Sequence, residues 1–372
     1  MGEVTTVKKT KGIILLEDGT TFSGEIATSS GEPIIGELVF NTNMVGYQEV
    51  LTDPSYAGQL VVMTYPLIGN YGVSPLYSQS PKVQTKGLIV RELWGEAEYR
   101  PARIQLEEFL AIHGTPVVTG VDTRALTRHL RKAGTMKGVC ASAEYSLDEL
   151  REMLEAAPDF GSLNFLPEVS CSEPTYYSVQ KECGKIAIID LGLKKGILHS
   201  FLERGYSVVV LPFSTTPQEV LSLDVDGVLF SNGPGNPALL REQVQLAKSL
   251  IGKLPVFGIC LGHQIIALAL GAKTYKLKFG HRGGNHPVRD LETGKVYITA
   301  QNHGYAVDEE SLAGTGLVVT HRNLNDDTVE GLVHQYLPVV SVQFHPEGSP
   351  GTLDATHLFD RFIHYLPEAK AS

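Results

Sequence analysis

PVFGICLGHQIIALALG, residues 255–271, decides the fold. Pro255 to Cys260 is a short apolar run, the mark of a strand buried on both faces. Leu261 to Gly271 reads as the helix that follows it. A cysteine sits at the joint, and Gly258 and Gly262 stand two residues away on either side. Gly-x-Cys-x-Gly at a strand-to-helix junction matches the nucleophile elbow, with sulfur in place of the usual serine oxygen. The glycines let the backbone turn tightly without a Cβ clash. The thiol of Cys260 then stands at a helix N-terminus, where the dipole and the unpaired N–H groups favour thiolate. The N–H of Leu261 is placed to serve an oxyanion hole. The bland alternative is core filler, since cysteine is among the most buried residue types. The flanking glycines suit an elbow and not a packed strand.

The same alternation runs outward from this stretch. KIAIID (185–190) and YSVVVLPF (206–213) read as strands, and KKGILHSFLERG (194–205) as the helix between them. Thr216 and Glu219 box the start of another helix. DGVLFSNGPGNP (226–237) is a strand running into a loop, and ALLREQVQLAKSLIG (238–252) a helix. Repeated strand–helix units of this length imply an α/β domain over 185–372, with a doubly wound, mostly parallel sheet. Ligands of such sheets bind at the carboxyl ends of the strands. SNGPGN and GIC both fall at such ends.

Residues 1–157 read as a separate, mixed α+β domain. GIILLEDGT (12–20) is a strand ending in an Asp-Gly turn, and ELVFNT, QLVVMTYP and GLIVREL are further strands. DTRALTRHLRKAG (122–134) is a helix with Asp122 as N-cap, and Ser146 with Glu149 boxes another. Residues 158–184, rich in Ser, Glu, Pro and Tyr and without a period, read as a linker.

Composition narrows the function. The chain has 372 residues, 42% apolar and 19% charged, enough for two or three domains with a large core. Its 31 Lys and Arg against 41 Asp and Glu give a formal net charge of −10, a poor binder of nucleic acid. Four cysteines in such a length make no disulfide framework, and none has CxxC spacing. Met1 to Lys11 is polar and no apolar h-region follows it, so no signal peptide is expected. The apolar runs are too short to span a bilayer. The expectation is a protein of a reducing compartment such as the cytoplasm.

A thiolate nucleophile needs a proton carrier and an orienting group. VSVQFHPEG supplies them: His345 and Glu347 lie at i and i+2 past a strand and can share a face. In SNGPGNP (231–237), Gly233 and Gly235 expose backbone N–H groups at a strand end, suited to a carboxylate or an oxyanion. It is no phosphate loop, since GxxxxGK[ST] is absent. His281 and His286 invite a metal reading, but no Cys or carboxylate cluster stands near them in the sequence, so no metal is expected. QNHGY (301–305) suits polar substrate recognition, and His263 has no evident role.

Together these residues resemble the class I, triad-type glutamine amidotransferases, whose order and spacing SNGPGNP, FGICLGHQ and VQFHPE follow. GELVFNTNMVGYQEVLTDPSYAGQLVVMTYPLIGNYG (36–72), GVDTRALTRHLRKAGTMKG (120–138), FGHRGGNHPV and AQNHGYAVD resemble the small, glutamine-hydrolysing subunits of carbamoyl-phosphate synthases. The resemblance implies that Cys260 attacks the glutamine carboxamide, His345 moves the proton and Glu347 orients His345. It implies that Ser55, Gly233, Gly235, Leu261, Gln264, Asn302, Gly304 and Tyr305 hold the glutamine. Tyr305 stands where other members carry Phe, so an aromatic is kept; Gly196 after Lys195 departs from an Asn after Arg, with no catalytic effect expected. It further implies no cofactor in this chain and a separate large subunit that uses ATP with a divalent metal and receives ammonia through a tunnel. The N-terminal domain would then serve docking and support. An amidotransferase of another pathway, a free-standing γ-glutamyl hydrolase and a non-catalytic scaffold are the competing readings.

Overall fold

The computed structural model describes residues 9–27, 31–95 and 101–367. The polar N-terminal stretch read above lies, for residues 1–8, outside them. The chain divides into two compact units, Met1–Leu163 and Asn164–Ser372.

In the first unit the Asp18-Gly19 turn joins Thr10–Leu16 to Thr21–Ala27 as an antiparallel hairpin, with Gly19 at φ 85° where a side chain would be strained. Seven strands close into a barrel of mixed parallel and antiparallel pairs. Thr123–Ala133 starts at Asp122, whose side chain accepts from the Ala125 N–H, and Leu147–Ala156 starts at the Ser146–Glu149 capping box. Val39, Val61, Leu88 and Val117 fill the core with Tyr47 and Leu110.

The second unit is built on a ten-stranded sheet. At its centre, Tyr206–Pro212, Gly184–Asp190, Gly227–Phe230, Val256–Ile259 and Val339–Val342 run parallel in that spatial order. Both faces of these strands are buried, which is why their sequences read as apolar runs without alternation. Ala187, Ile189, Val228 and Phe230 face Leu246, Leu250, Ile265 and Ile266, from helices Arg241–Leu250 and Leu261–Ala269. Ile186, Ile188, Leu229 and Phe257 face Ile197, Phe201, Phe359 and Phe362, from helices Lys195–Leu202 and His357–His364. Phe257 stacks on Phe362 at 5.2 Å; cutting either to alanine is expected to cost about 3–5 kcal/mol.

Antiparallel strands extend the sheet on both sides. Val329–His334, Leu317–Asn323, Lys273–Asp290 and Val296–Asp308 follow on beyond Val339–Val342. Thr175–Tyr177 pairs with the opposite edge. The stretch 158–184 is therefore shared: Phe160–Ser162 belongs to the first unit, and Leu166–Val169 and Thr175–Tyr177 to the second. From Gly184–Asp190 the chain goes first to one neighbour and then to the other, a topological switch point at which ligands bind.

Candidate active site

Three neighbouring strand ends meet here, because parallel strands put all their carboxyl termini at one edge. Gly227–Phe230 ends in Ser231-Asn232-Gly233, Val256–Ile259 ends in Cys260, and Val339–Val342 leads to His345. Cys260 takes φ 54° and ψ −103°, one of two non-glycine residues with positive φ among those described. Such a conformation costs on the order of 1–3 kcal/mol and persists only where its surroundings impose it. They do so here: the Cys260 N–H donates to Val342 O at 2.9 Å, and the Gly262 N–H to Ser231 O at 3.0 Å. A Cβ on Gly262 would lie 2.0 Å from Phe230 O, and one on Gly258 would lie 2.7 Å from the Gly262 backbone. Both glycines are thus demanded by contact with backbone, as the elbow requires. Cys260 is 2% exposed, and its Sγ lies 3.5 Å from the Asn302 carbonyl. Cys140, by contrast, is the filler kind of thiol, buried in the barrel where burial pushes it up to about 12.

His345 and Glu347 share a face as their spacing predicts. His345 Nδ1 lies 2.8 Å from Glu347 Oε1, and the His345 N–H donates to Ala300 O at 2.9 Å. The other ring nitrogen, Nε2, is buried without a hydrogen-bond partner among the described residues. A ring held at Nδ1 and unbonded at Nε2 is arranged to carry a proton. Lys194, which no sequence signal marks, completes the series. Its Nζ donates to Glu347 Oε1 at 2.7 Å, and both side chains are 1% exposed. Burial alone would raise Glu347, but the Lys194 and His345 charges outweigh it and hold the carboxyl down at about 2.

Of the residues expected to hold glutamine, all but Ser55 belong to the second unit. A Cβ on Gly233 would lie 2.8 Å from the Leu261 side chain and 2.1 Å from Leu191 O, so the 231–235 loop packs against the elbow. Gly235 has φ 94°. Leu261 opens its helix, where backbone N–H groups lack intrahelical partners. Gln264 Nε2 donates to Tyr305 O at 2.8 Å and to Gln343 Oε1 at 2.9 Å, which ties the 302–305 segment to the elbow helix. Asn302, Gly304 and Tyr305 lie on Val296–Asp308, and of these the Asn302 carbonyl faces Cys260 Sγ. Ser55 lies in the first unit, where its N–H donates to Asp53 Oδ1 at 2.9 Å.

Two histidines change their meaning. His263 is fully buried, with Nδ1 2.9 Å from Ser341 Oγ, and burial pulls it down to about 3. It is a neutral strut between the elbow helix and Val339–Val342. His281 does have carboxylates close by, contrary to the sequence reading: Asp326 at 2.7 Å and Glu330 at 3.5 Å arrive from a neighbouring turn and strand. Among the described residues no helix is long and apolar enough to cross a membrane.

A cysteine elbow, a buried His–Glu pair and a glycine loop, joined at one edge of a doubly wound sheet, define a hydrolase site of the glutamine amidotransferase class. Residues 187–365 match the family model for class I glutamine amidotransferases. Residues 14–140 match that for the carbamoyl-phosphate synthase small chain, CPSase domain. The carbamoyl phosphate synthase small chain of Clostridium acetobutylicum is 49% identical over 95% of this chain and 99% of its own. Those of Caldanaerobacter subterraneus subsp. tengcongensis (49%, 95% of this chain and 96% of its own) and Methanopyrus kandleri (47%, 95% and 98%) are similar throughout. The chain belongs to the carbamoyl phosphate synthase small chain family.

Proposed function

We infer that this chain is the glutamine-hydrolysing small subunit of a carbamoyl-phosphate synthase. The observation that carries the reading is the buried series Lys194–Glu347–His345, set at the strand ends that also present Cys260. Cys260 thiolate attacks the side-chain carboxamide carbon of glutamine. The Leu261 N–H and the Gly233–Gly235 loop stabilise the oxyanion. His345 takes up the thiol proton and returns it to the leaving nitrogen, so ammonia departs and a γ-glutamyl thioester remains. Water, activated by the same imidazole, hydrolyses the thioester to glutamate and restores the thiol. Glu347 keeps the ring in position, and Lys194 keeps Glu347 ionised. Gln264, Asn302, Gly304 and Tyr305 shape the glutamine pocket.

The ammonia serves a separate large subunit that joins it to bicarbonate with ATP and a divalent metal, in the cytoplasm, for pyrimidine or arginine synthesis. The first unit serves docking and support. The match of residues 14–140 speaks against the amidotransferase of another pathway and against a free-standing hydrolase, which have no use for that region. Acid quenching during turnover, followed by mass spectrometry, tests the chemistry. A γ-glutamyl adduct on the Cys260 peptide is expected; an adduct on another residue contradicts the assignment.

A further inference from the structure

His281 and His303 face each other inside the second unit, with His281 Nδ1 3.2 Å from His303 Nε2. Their outer nitrogens are both fixed as donors. His303 Nδ1 lies 2.8 Å from the Tyr305 carbonyl, which can only accept. His281 Nε2 lies 2.7 Å from Asp326 Oδ2, which accepts as well. Each ring is therefore left with one nitrogen, and these two point at one another. Two bare lone pairs at this distance repel, whereas one proton between them makes a hydrogen bond. Three protons on four nitrogens give the pair a single positive charge.

The surroundings fit that charge. Glu330, fully buried, has Oε1 3.5 Å from His281 Nδ1. Gln301 Oε1 lies 2.8 Å from His303 Nε2 and accepts the proton when that ring holds it. Hydrogen bonds to Asp326 and Glu330 overcome burial and raise His281 to about 9, while burial and the His281 charge push His303 well down. The other groups facing the pair are the His286 ring, 5.3 Å from that of His281, the amide of Asn323, and Arg282, whose charge acts on His303. A metal cation fits poorly, because Asn323 Nδ2 and Gln301 Nε2 each donate at 3.0 Å to the Glu330 oxygens that it would need.

The pair reaches the active site through backbone. The Tyr305 carbonyl that His303 holds also accepts from Gln264, and the Asn302 carbonyl three residues earlier faces Cys260 Sγ. We propose that His281 and His303 share one proton as a positioning pair, held by Glu330, and that this pair sets the Asn302–Tyr305 segment for glutamine. The proposal rests on the glutaminase reading above.

The test is glutamine hydrolysis by the purified full chain from pH 6 to 10, for wild type and Glu330→Gln. Losing a nearby carboxylate lowers an imidazolium pKa, so the loss of the shared proton moves to lower pH. Wild-type KM for glutamine is expected to stay level to pH 8 and to rise near about 9. In Glu330→Gln, KM at pH 8 is expected to be about tenfold higher, close to wild type at pH 6, with kcat within about threefold. Asp326→Asn, at a half-exposed site, moves the profile the same way by less and serves if Glu330→Gln folds poorly. A KM raised equally at every pH, or unchanged, overturns the proposal; so does one equivalent of metal in the purified wild-type protein. Nitrogen-15 spectra of the histidine rings read the shared proton without turnover, and two neutral rings at pH 7 overturn it too. If the shared proton is present but glutamine is not hydrolysed, the proposed function fails and the proton pair stands.

Discussion

Lys194 Nζ sits 2.7 Å from Glu347 Oε1, and neither side chain is more than 1% exposed. The pair joins the loop after Gly184–Asp190 to the segment after Val339–Val342. Removing one partner of a buried ion pair strands the other charge, at a cost of about 3–5 kcal/mol, whereas removing both is far milder. Lys194→Met is therefore expected to lower unfolding free energy in urea by roughly that amount, and to reduce kcat/KM for glutamine by about tenfold or more. The double variant Lys194→Met/Glu347→Gln is expected to regain most of the stability and none of the activity. A double variant as unstable as the single one would show that packing of the lysine stem matters more than its charge.

Glu347 gives a pH dependence whose sign follows from its direction. Its folded-state value is about 2, below the ordinary 4.5, so its contribution is complete above pH 4.5 and is lost as pH falls toward 2. The contribution is on the order of 3 kcal/mol. The stability difference between wild type and Glu347→Gln should then shrink as pH falls from 4.5 toward 2. Chemical denaturation at several pH values measures it. A difference that does not shrink over that range would mean that Glu347 is not held ionised by its partners.

The positive φ of Cys260 predicts an inversion of the usual glycine penalty. Glycine normally costs about 0.5–1 kcal/mol relative to alanine, but it adopts φ 54° without strain. Cys260→Gly is expected to be at least as stable as Cys260→Ala, and both inactive. Thermal melting of the two decides it, and a clearly less stable glycine variant would deny the strain.

The elbow was legible because it is local: Gly258, Cys260 and Gly262 announce a tight strand-to-helix turn within five residues. His345 and Glu347 were legible for the same reason, since i and i+2 past a strand end must share a face. The alternating apolar runs gave the parallel centre of the sheet, because strands covered on both faces carry no polar side. Lys194 was hidden beside Lys195; nothing in a pair of lysines tells which one is buried until the switch point brings it to Glu347. The Glu330–His281 contact was hidden by distance along the chain. It arises only when Leu317–Asn323 and Val329–His334 lay their turn and strand against Lys273–Asp290. Spacing arguments do not reach across such pairings, which is why His281 read as a histidine without carboxylates nearby.

The most direct measurement compares nitrogen sources for the Cys260→Ser chain assembled with the large subunit proposed above. Glutamine-dependent carbamoyl phosphate synthesis is expected to be lost, while synthesis from free ammonia continues at the wild-type rate, since the thiol is needed only to release ammonia. Glutamine hydrolysis persisting in Cys260→Ser, or ammonia-dependent synthesis disappearing with it, would contradict the role given to this cysteine.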